Sequence, residues 1–384
     1  MRSRKKIGLV LSTKPSDGGQ HQYALLIVEC LLEKDGIDYD LVVLCGNSFW
    51  RRWCKEHSII FLGNLLPNIS RDEQKFNCHF PFWAKIYYTY MTDLGKTIRK
   101  EKINILFSVR QGTFIPNFNV NIISPVHDLM HRYEPNFPEV KDGFETREIY
   151  MKSMAKYAKC ILVDSVLGKK QFEESYIKNL GRKTMIVSLP FVAPDHVLCD
   201  KEEYVDVPEN YVFYPAQFWQ HKNHINLLKA IEILKNSIDD IHLVLVGSEK
   251  NYHSVVKRYI QENQLQGYIT ILGFVSNEKI TYLYKHALGM VMPSYFGPTN
   301  IPPLEAMALG CPVAVSNKYA MPEQVGNAGL LFNPDSAEEI AECIRMLWTD
   351  EKLRNKMKEL GYKQIQRWTK KEFGKRLYHV ISVI

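Results

Sequence analysis

"LGMVMPSYFGPTNIPPLEAMALGCPVAVS", Leu288 to Ser316, contains two short apolar runs separated by a turn-rich loop and a helical stretch. "LGMVMPS" and "PVAVS" have the length and composition of buried strands. "PPLEAMALG" has helical spacing, opens on prolines that suit a first turn, and stops at Gly310. Strand, helix and strand in close succession make one parallel crossover. The alternation continues on both sides. Upstream lie the strand "YVFYPA", the helix "HINLLKAIEILKNS", the strand "IHLVLVG", the helix "SVVKRYIQENQ", the strand "ITILG" and the helix "SNEKITYLYKHA"; downstream lie "GLLFN" and the helix "SAEEIAECIRMLWTD".

The first half repeats the theme. "IGLVLST", "YDLVVLCG", "NILFSV", "NIISPVHD", "CILVDS" and "KTMIVSLPF" are expected strands. "HQYALLIVECLLEKDG", with Gly36 as its stop, and "REIYMKSMAKYAK" are expected helices. The polar, aperiodic "VAPDHVLCDKEEYVDVPEN" interrupts the alternation. The expected architecture is α/β, with two Rossmann-like doubly wound parallel-sheet domains facing a cleft. The boundaries are 1–192 for the first domain, 193–210 for a linker, 211–364 for the second domain and 365–384 for a closing helix. In such sheets ligands sit at the carboxyl ends of the strands, so residues just after strands are the candidates.

Bulk composition narrows the function classes. The 384 residues carry a net charge of +7, with 46% hydrophobic, 24% charged and 12% aromatic residues. That length implies two domains. The mild positive balance fits anionic partners, but the basic residues are dispersed and no nucleic-acid-binding signature is present. The eight cysteines form no CxxC pair and lie mostly in apolar runs, as expected of free thiols in a reducing compartment. "MRSRKKIGLVLST" lacks the features of a signal peptide, and no run approaches a membrane span, so a cytoplasmic protein is expected. The sequon at Asn68 then carries no meaning.

Several post-strand loops hold candidates. Gly18 and Gly19 sit at a helix start, where glycine allows close backbone approach and a helix N-terminus favours an anion; an ordinary turn is the competing reading. His127, Asp128, His131 and Arg132 follow "NIISPV". A His there can donate to a sugar hydroxyl or shuttle a proton, and no third ligand completes a metal pair. Lys222 precedes a helix, where a cation is unfavourable unless an anion joins it, and Gln217 is a neutral donor on the same loop. Thr299 or Asn300 can cap the next helix. Glu305, expected in its first turn, is either a dipole-stabilising acid or an acceptor for two adjacent hydroxyls, as a ribose offers. Asp38-Tyr39-Asp40 reads as DxD but leads into a strand at its amino end, away from any cleft. The stretch "FPFWAKIYYTYMTDLGKTIRKEK" mixes aromatic and basic residues. An interfacial helix on an anionic membrane and a partly buried helix both fit it.

Taken together, these residues resemble glycosyltransferase family 4, the retaining GT-B transferases that use nucleotide sugars. The resemblance is carried in order by "YPAQFWQHKNHINLLKAIEIL", "IHLVLVGSE", "ITILGFVSNEKITYLYKHALGMVMPSYFGPTNIPPLEAMALGCPVAVSN" and "PEQVGNAGLLFNPDSAEEIAECI". In the first half "GGQHQYALLIVECL" is similar to the family's Gly-Gly loop. "VHDLMHRYEPNFPE" is similar to the HDLxHRxxP segment of its mannosyltransferase-like, group 1 members. The final "QRWTKKEFGKRLYHVI" is similar to the closing helix that returns to the first domain.

The resemblance implies transfer of a hexose from a nucleotide diphosphate sugar, GDP- or UDP-linked, to a glycan or lipid-linked acceptor in surface polysaccharide synthesis. GDP-mannose is the donor it suggests, and no metal or other cofactor is implied. His127, Lys222 and Glu305 would be catalytic. Lys222 would bind the diphosphate, Glu305 the ribose, and Gly18 and Gly19 the phosphate. Gln217 and the loop Gly297, Pro298, Thr299, Asn300 and Ile301 would complete the donor site. His127 would touch the transferred sugar, and Asp128, His131 and Arg132 would serve sugar or acceptor. Peripheral contact with the inner face of an anionic membrane is expected; nucleic acid is not. Two departures stand out. The family usually carries Glu, seven residues, then Glu, and the first position is Gly297 here. Its diphosphate-binding Arg is Gln217. Asn300 or Thr299 is expected to replace the lost hydrogen bonding. The departures also motivate a non-catalytic nucleotide-binding subunit, and a nucleotide-sugar epimerase shares the architecture.

Overall fold

A computed structural model describes residues 4–33, 38–66, 69–113, 115–178, 180–181, 184–198, 201–297 and 299–384. Gly36, Asn68, Cys199 and Pro298 lie outside the described residues. The chain divides into two compact units. Unit 1 comprises Met1–Tyr133, Gly143–Pro190 and Lys370–Ile384, and unit 2 comprises Glu134–Asp142 and Phe191–Thr369.

Unit 1 is built on seven strands: β1 (Lys5–Leu11), β2 (Tyr39–Gly46), β3 (Ile60–Phe61), β4 (Ile105–Ser108), β5 (Asn121–Val126), β6 (Cys160–Val163) and β7 (Met185–Ser188). They form one sheet in the order β3-β2-β1-β4-β5-β6-β7, every pair parallel. Helices cover both faces, so the strands read as continuous apolar runs such as Ile105-Leu106-Phe107. The strand order reverses between β1 and β4. Beside β1 the Gly19–Glu33 helix begins after Gly18, whose φ of +58° suits glycine. The last helix, Lys370–Val383, belongs to this unit: Lys370 pairs with Glu29 at 2.7 Å, and Lys5 Nζ donates to the Ile381 carbonyl at 2.6 Å. Asp38 and Asp40 flank the start of β2, where Arg4 holds both.

The aromatic–basic stretch forms two helices, Pro81–Tyr90 and Asp93–Lys100. Thr92 separates them: its hydroxyl accepts the Gly95 amide and donates to the Tyr88 carbonyl. Phe82, Trp83, Tyr87, Tyr90 and Met91 are exposed.

Unit 2 has six strands: β8 (Val212–Pro215), β9 (Leu243–Val246), β10 (Ile269–Ile271), β11 (Gly289–Met292), β12 (Val313–Ser316) and β13 (Gly329–Phe332). Their order is β10-β9-β8-β11-β12-β13, again all parallel. The Leu288–Ser316 crossover is therefore β11, the Ile301–Ala308 helix and β12. The core runs from Phe213 and Tyr214 on β8 through Val244 and Val291 to Ile340 and Ile344 of a covering helix. In this unit the order reverses between β8 and β11, which marks where loops diverge and a ligand fits.

One buried ion network shapes unit 1 after β5. Arg132 donates from Nε and Nη2 to the two Glu148 oxygens, at 2.5 and 2.8 Å, and stacks over the Tyr176 ring. His131 Nε2 lies 3.1 Å from Glu148 Oε1 and 3.0 Å from Tyr176 Oη. Burial pushes the Glu148 carboxyl up, but the Arg132 and Tyr176 hydrogen bonds outweigh it and hold the group at about 2. A carboxyl depressed by folding gives stability above its unfolded value and loses it as pH falls. Wild-type protein is thus expected to lose stability as pH drops from about 4.5 to about 2. Arg132→Ala should cost about 1.5–3 kcal/mol at neutral pH and flatten that acid limb, as measured by urea melts at several pH values.

Candidate active site

The loops at the β8/β11 reversal bring the expected donor residues together. After β8 the chain makes a single 3-10 turn, Gln220–Lys222; Asn223 adopts a left-handed conformation and the His224–Leu234 helix begins. Asn223 secures this corner, since its Nδ2 donates to the Pro293 carbonyl at 3.0 Å and to the Pro334 carbonyl at 2.8 Å. The Tyr295 amide donates to the His221 carbonyl at 2.9 Å, joining the turn to the loop after β11. From this frame Lys222 Nζ donates to Asn300 Oδ1 at 3.1 Å. Burial lowers the Lys222 ammonium to about 8, with Glu139 pulling the other way.

Asn300 is the N-cap of the Ile301–Ala308 helix, but its side chain makes no cap hydrogen bond. It is spent elsewhere: Oδ1 receives Lys222, and Nδ2 donates to the Gly297 carbonyl at 3.1 Å. Its backbone is clamped by Gln324, whose Oε1 accepts the Asn300 amide at 3.0 Å and whose Nε2 donates to the Asn300 carbonyl. Prolines 302 and 303 occupy the first turn as expected. Glu305 does not: the helix begins at Ile301, so Glu305 lies in the second turn, too deep for a cap. The N-cap is Asn300, one of the two expected caps, and counted from it Glu305 is the fifth helical residue. Glu305 is 7% exposed, and the Tyr284 hydroxyl donates to its Oε2 at 2.9 Å. The carboxylate is fixed by a residue on another helix, Asn277–His286.

Gly297 has φ +111°, and a Cβ added there would lie 2.8 Å from Asn300 Nδ2. The space a side chain at position 297 would enter is filled by Asn300. Gln217 keeps its position after β8, and its Oε1 accepts the Trp219 indole N–H at 2.8 Å.

Sequence reasoning did not find Glu139. It sits on the short Pro138–Lys141 helix of the Glu134–Asp142 segment, far from Lys222 in sequence but in the same unit. Its Oε1 accepts the Gln220 amide at 2.6 Å and lies 3.5 Å from His221 Nδ1. Tyr284 and Gln324 were equally invisible. No periodicity or motif marks a side chain whose task is to hold another.

In unit 1 His127 follows β5. Its amide donates to Gln111 Oε1, and its ring meets Tyr23 edge-on at 4.8 Å. Burial lowers the ring to about 4 despite nearby Asp128, so it is a neutral imidazole at pH 7. Asp128 is engaged: Oδ1 accepts the Met130 amide at 3.0 Å and Arg147 Nη1 at 2.8 Å. His131 and Arg132 belong to the Glu148 network, reached by residue types but not by any sequence signal for Glu148. At the β1/β4 reversal Arg110, also missed, lies 3.7 Å from Asp17 and donates to Gln20 Oε1 at 3.1 Å, beside Gly18 and Gly19.

The Gly297 geometry has a direct consequence. A side chain there meets both the unfavourable φ and Asn300, so Gly297→Ala should cost about 1–3 kcal/mol in a thermal melt. Gly297→Glu should cost more, and adding Asn300→Ala should restore part of the loss.

Comparison with known proteins places this arrangement. Residues 200–364 match the model of glycosyl transferases group 1. The O-antigen chain mannosyltransferase RfbU of Salmonella typhimurium is 27% identical over 331 residues, covering 86% of this chain and 87% of the relative. The O-antigen chain mannosyltransferase B of Escherichia coli is 30% identical over 162 residues, covering 42% of each protein. In structure, Anabaena HepE in complex with UDP and glucose superposes with a TM-score of 0.70 and 16% identity over 99% of this chain and 100% of that one. Residues 200–364 thus carry the group 1 glycosyl transferase domain, and the two parallel-sheet units have the GT-B fold.

Proposed function

We propose that unit 2 binds a nucleoside diphosphate hexose and that the enzyme transfers the hexose, with retention, to a glycan or lipid-linked saccharide in surface polysaccharide synthesis. The observation that carries this reading is the Lys222 ammonium held at the β8/β11 reversal by a neutral amide oxygen, 3.1 Å away. A cation whose neighbour does not neutralise it, beside a helix start, suits a diphosphate. Glu305, fixed by Tyr284, suits the two ribose hydroxyls. The mannosyltransferase relatives RfbU and mannosyltransferase B support mannose as the transferred hexose, and a GDP-linked donor completes the proposal.

In the reaction the bond from the sugar C1 to the diphosphate oxygen breaks and a bond from C1 to the acceptor oxygen forms on the same face. The acceptor proton passes to a departing phosphate oxygen, and the nucleoside diphosphate leaves. The protein stabilises charge on that leaving group through Lys222 and helix-start amides and orients the acceptor. No metal ion is needed for this charge balance. The neutral His127 serves as a hydrogen-bonding group for sugar, not as a cation.

The reading extends to a membrane partner. No described helix is long and apolar enough to cross a bilayer. The exposed Phe82, Trp83, Tyr87 and Tyr90 share their surface with exposed Lys96, Arg99 and Lys100, and Arg99 lies over the Tyr90 ring at 4.6 Å. Such a mixture suits the interface of an anionic bilayer. Free thiols at the seven described cysteines are consistent with a cytoplasmic face.

Two experiments test the proposal. GDP or UDP should raise the melting temperature of wild-type protein, with an affinity that falls above about pH 8 as Lys222 loses its proton. Lys222→Ala should lose most of that shift, and Lys222→Ala and Glu305→Gln should each lower transfer from GDP-mannose by about 10²-fold or more while remaining folded. Nucleotide binding without transfer would favour a non-catalytic subunit; isomerised sugar without acceptor would favour an epimerase. Separately, the protein should sediment with vesicles containing anionic lipid and not with neutral ones. Phe82→Ser with Trp83→Ser should reduce that binding about tenfold; an unchanged pellet would remove the membrane from the reading.

A further inference from the structure

We propose that Glu139 is a positioning residue for Lys222: it pins the turn that carries the lysine and supplies the negative charge that keeps the ammonium cationic for a diphosphate. The inference rests on the donor reading of Lys222 above.

The geometry comes from three anchors along Glu134–Asp142. Tyr319 Oη donates to Glu134 Oε1 at 2.6 Å. The Phe137 ring packs against Tyr295 and Phe296, each at 5.4 Å. Glu139, 9% exposed, accepts the Gln220 amide at 2.6 Å and faces His221. The His221 ring in turn stacks on Phe296 at 4.0 Å. The segment therefore closes over the Gln220–Lys222 turn and the loop after β11 at once.

Burying a carboxylate is costly, and the Gln220 amide needs only an acceptor oxygen, which a neutral side chain also offers. What only the carboxylate adds is charge. Burial pushes the Glu139 carboxyl up, but the hydrogen bonds from His221 and from backbone amides bring it down to about 2, so it is ionised throughout the neutral range. Of the groups around Lys222, Asn300 from the β11 loop is a neutral acceptor, and His224 at the next helix start couples to the lysine charge. Burial drives His224 to about 3, hence neutral. Glu139 is the group that opposes the desolvation of the Lys222 ammonium.

Glu139→Gln tests the charge while retaining an acceptor for the Gln220 amide. Binding of GDP and of UDP is measured by calorimetry from about pH 6 to about pH 9.5. The variant should match wild type at the acid end. The pH above which affinity falls should move down by about one unit, giving about a tenfold weaker complex at about pH 9. Glu139→Asp should recover the alkaline limb. In a Lys222→Arg background, where the cation does not titrate, adding Glu139→Gln should leave the pH profile as it is in Lys222→Arg alone. Equal weakening at every pH, or an unchanged profile, would overturn the proposal by reducing Glu139 to a structural prop or to nothing. Should wild-type protein bind neither nucleotide at any pH, the donor reading itself falls, and this inference with it.

Discussion

A parallel sheet buried on both faces leaves little room for polar chemistry except at its strand ends, and in unit 2 the hydrogen bond from Lys222 to Asn300 spans the one place where those ends part. It joins the turn after β8 to the helix start after β11. Everything near it serves that junction. Asn223 ties the lysine turn to Pro293 and Pro334, Gln324 grips the Asn300 backbone, and Tyr284 steadies Glu305 one helical turn further on. The core beneath, from Phe213 to Val291, anchors the strands from which those loops emerge.

The junction also explains why position 297 is a glycine. An amide cannot replace a carboxylate charge, but it can occupy the same space and accept the same ammonium. Asn300 does both, and the backbone at Gly297 adopts a φ that a side chain would resist. Gln217 on the turn after β8 is neutral as well, so two amides stand at the site with the Lys222 ammonium. The cation that remains is Lys222, and the carboxylate nearest to it in effect comes from a different stretch of chain, at Glu139.

Much of the fold was legible because buried strands of a doubly wound sheet are short apolar runs. "YDLVVLCG" forms β2 end to end, and "PVAVS" holds β12. β3, two residues long, carries too little pattern to find. The break at Thr92 was missed since its hydroxyl works through backbone bonds and leaves helical spacing intact on both sides. For the site, Lys222, Asn300 and Glu305 were found because they follow strands. Their supports were not, because Glu139, Tyr284 and Gln324 act across long sequence separations that only packing brings together. His131 and Arg132 show the same limit from the other side. As titratable residues after a strand they drew attention, yet the partner that organises them, Glu148, is a single acid on an unremarked helix face.

The chain passes between the two units four times, at Tyr133–Glu134, Asp142–Gly143, Pro190–Phe191 and Thr369–Lys370. Neither unit is therefore one contiguous block of gene. Recombination that exchanged everything before Pro190 for a relative's sequence would import a foreign Glu134–Asp142 and set it against a native lysine turn. A functional hybrid must inherit that nine-residue segment with the second half, and the last helix with the first. Variation at the β8/β11 junction in such a chain is constrained by a stretch that lies, in linear order, inside the other unit.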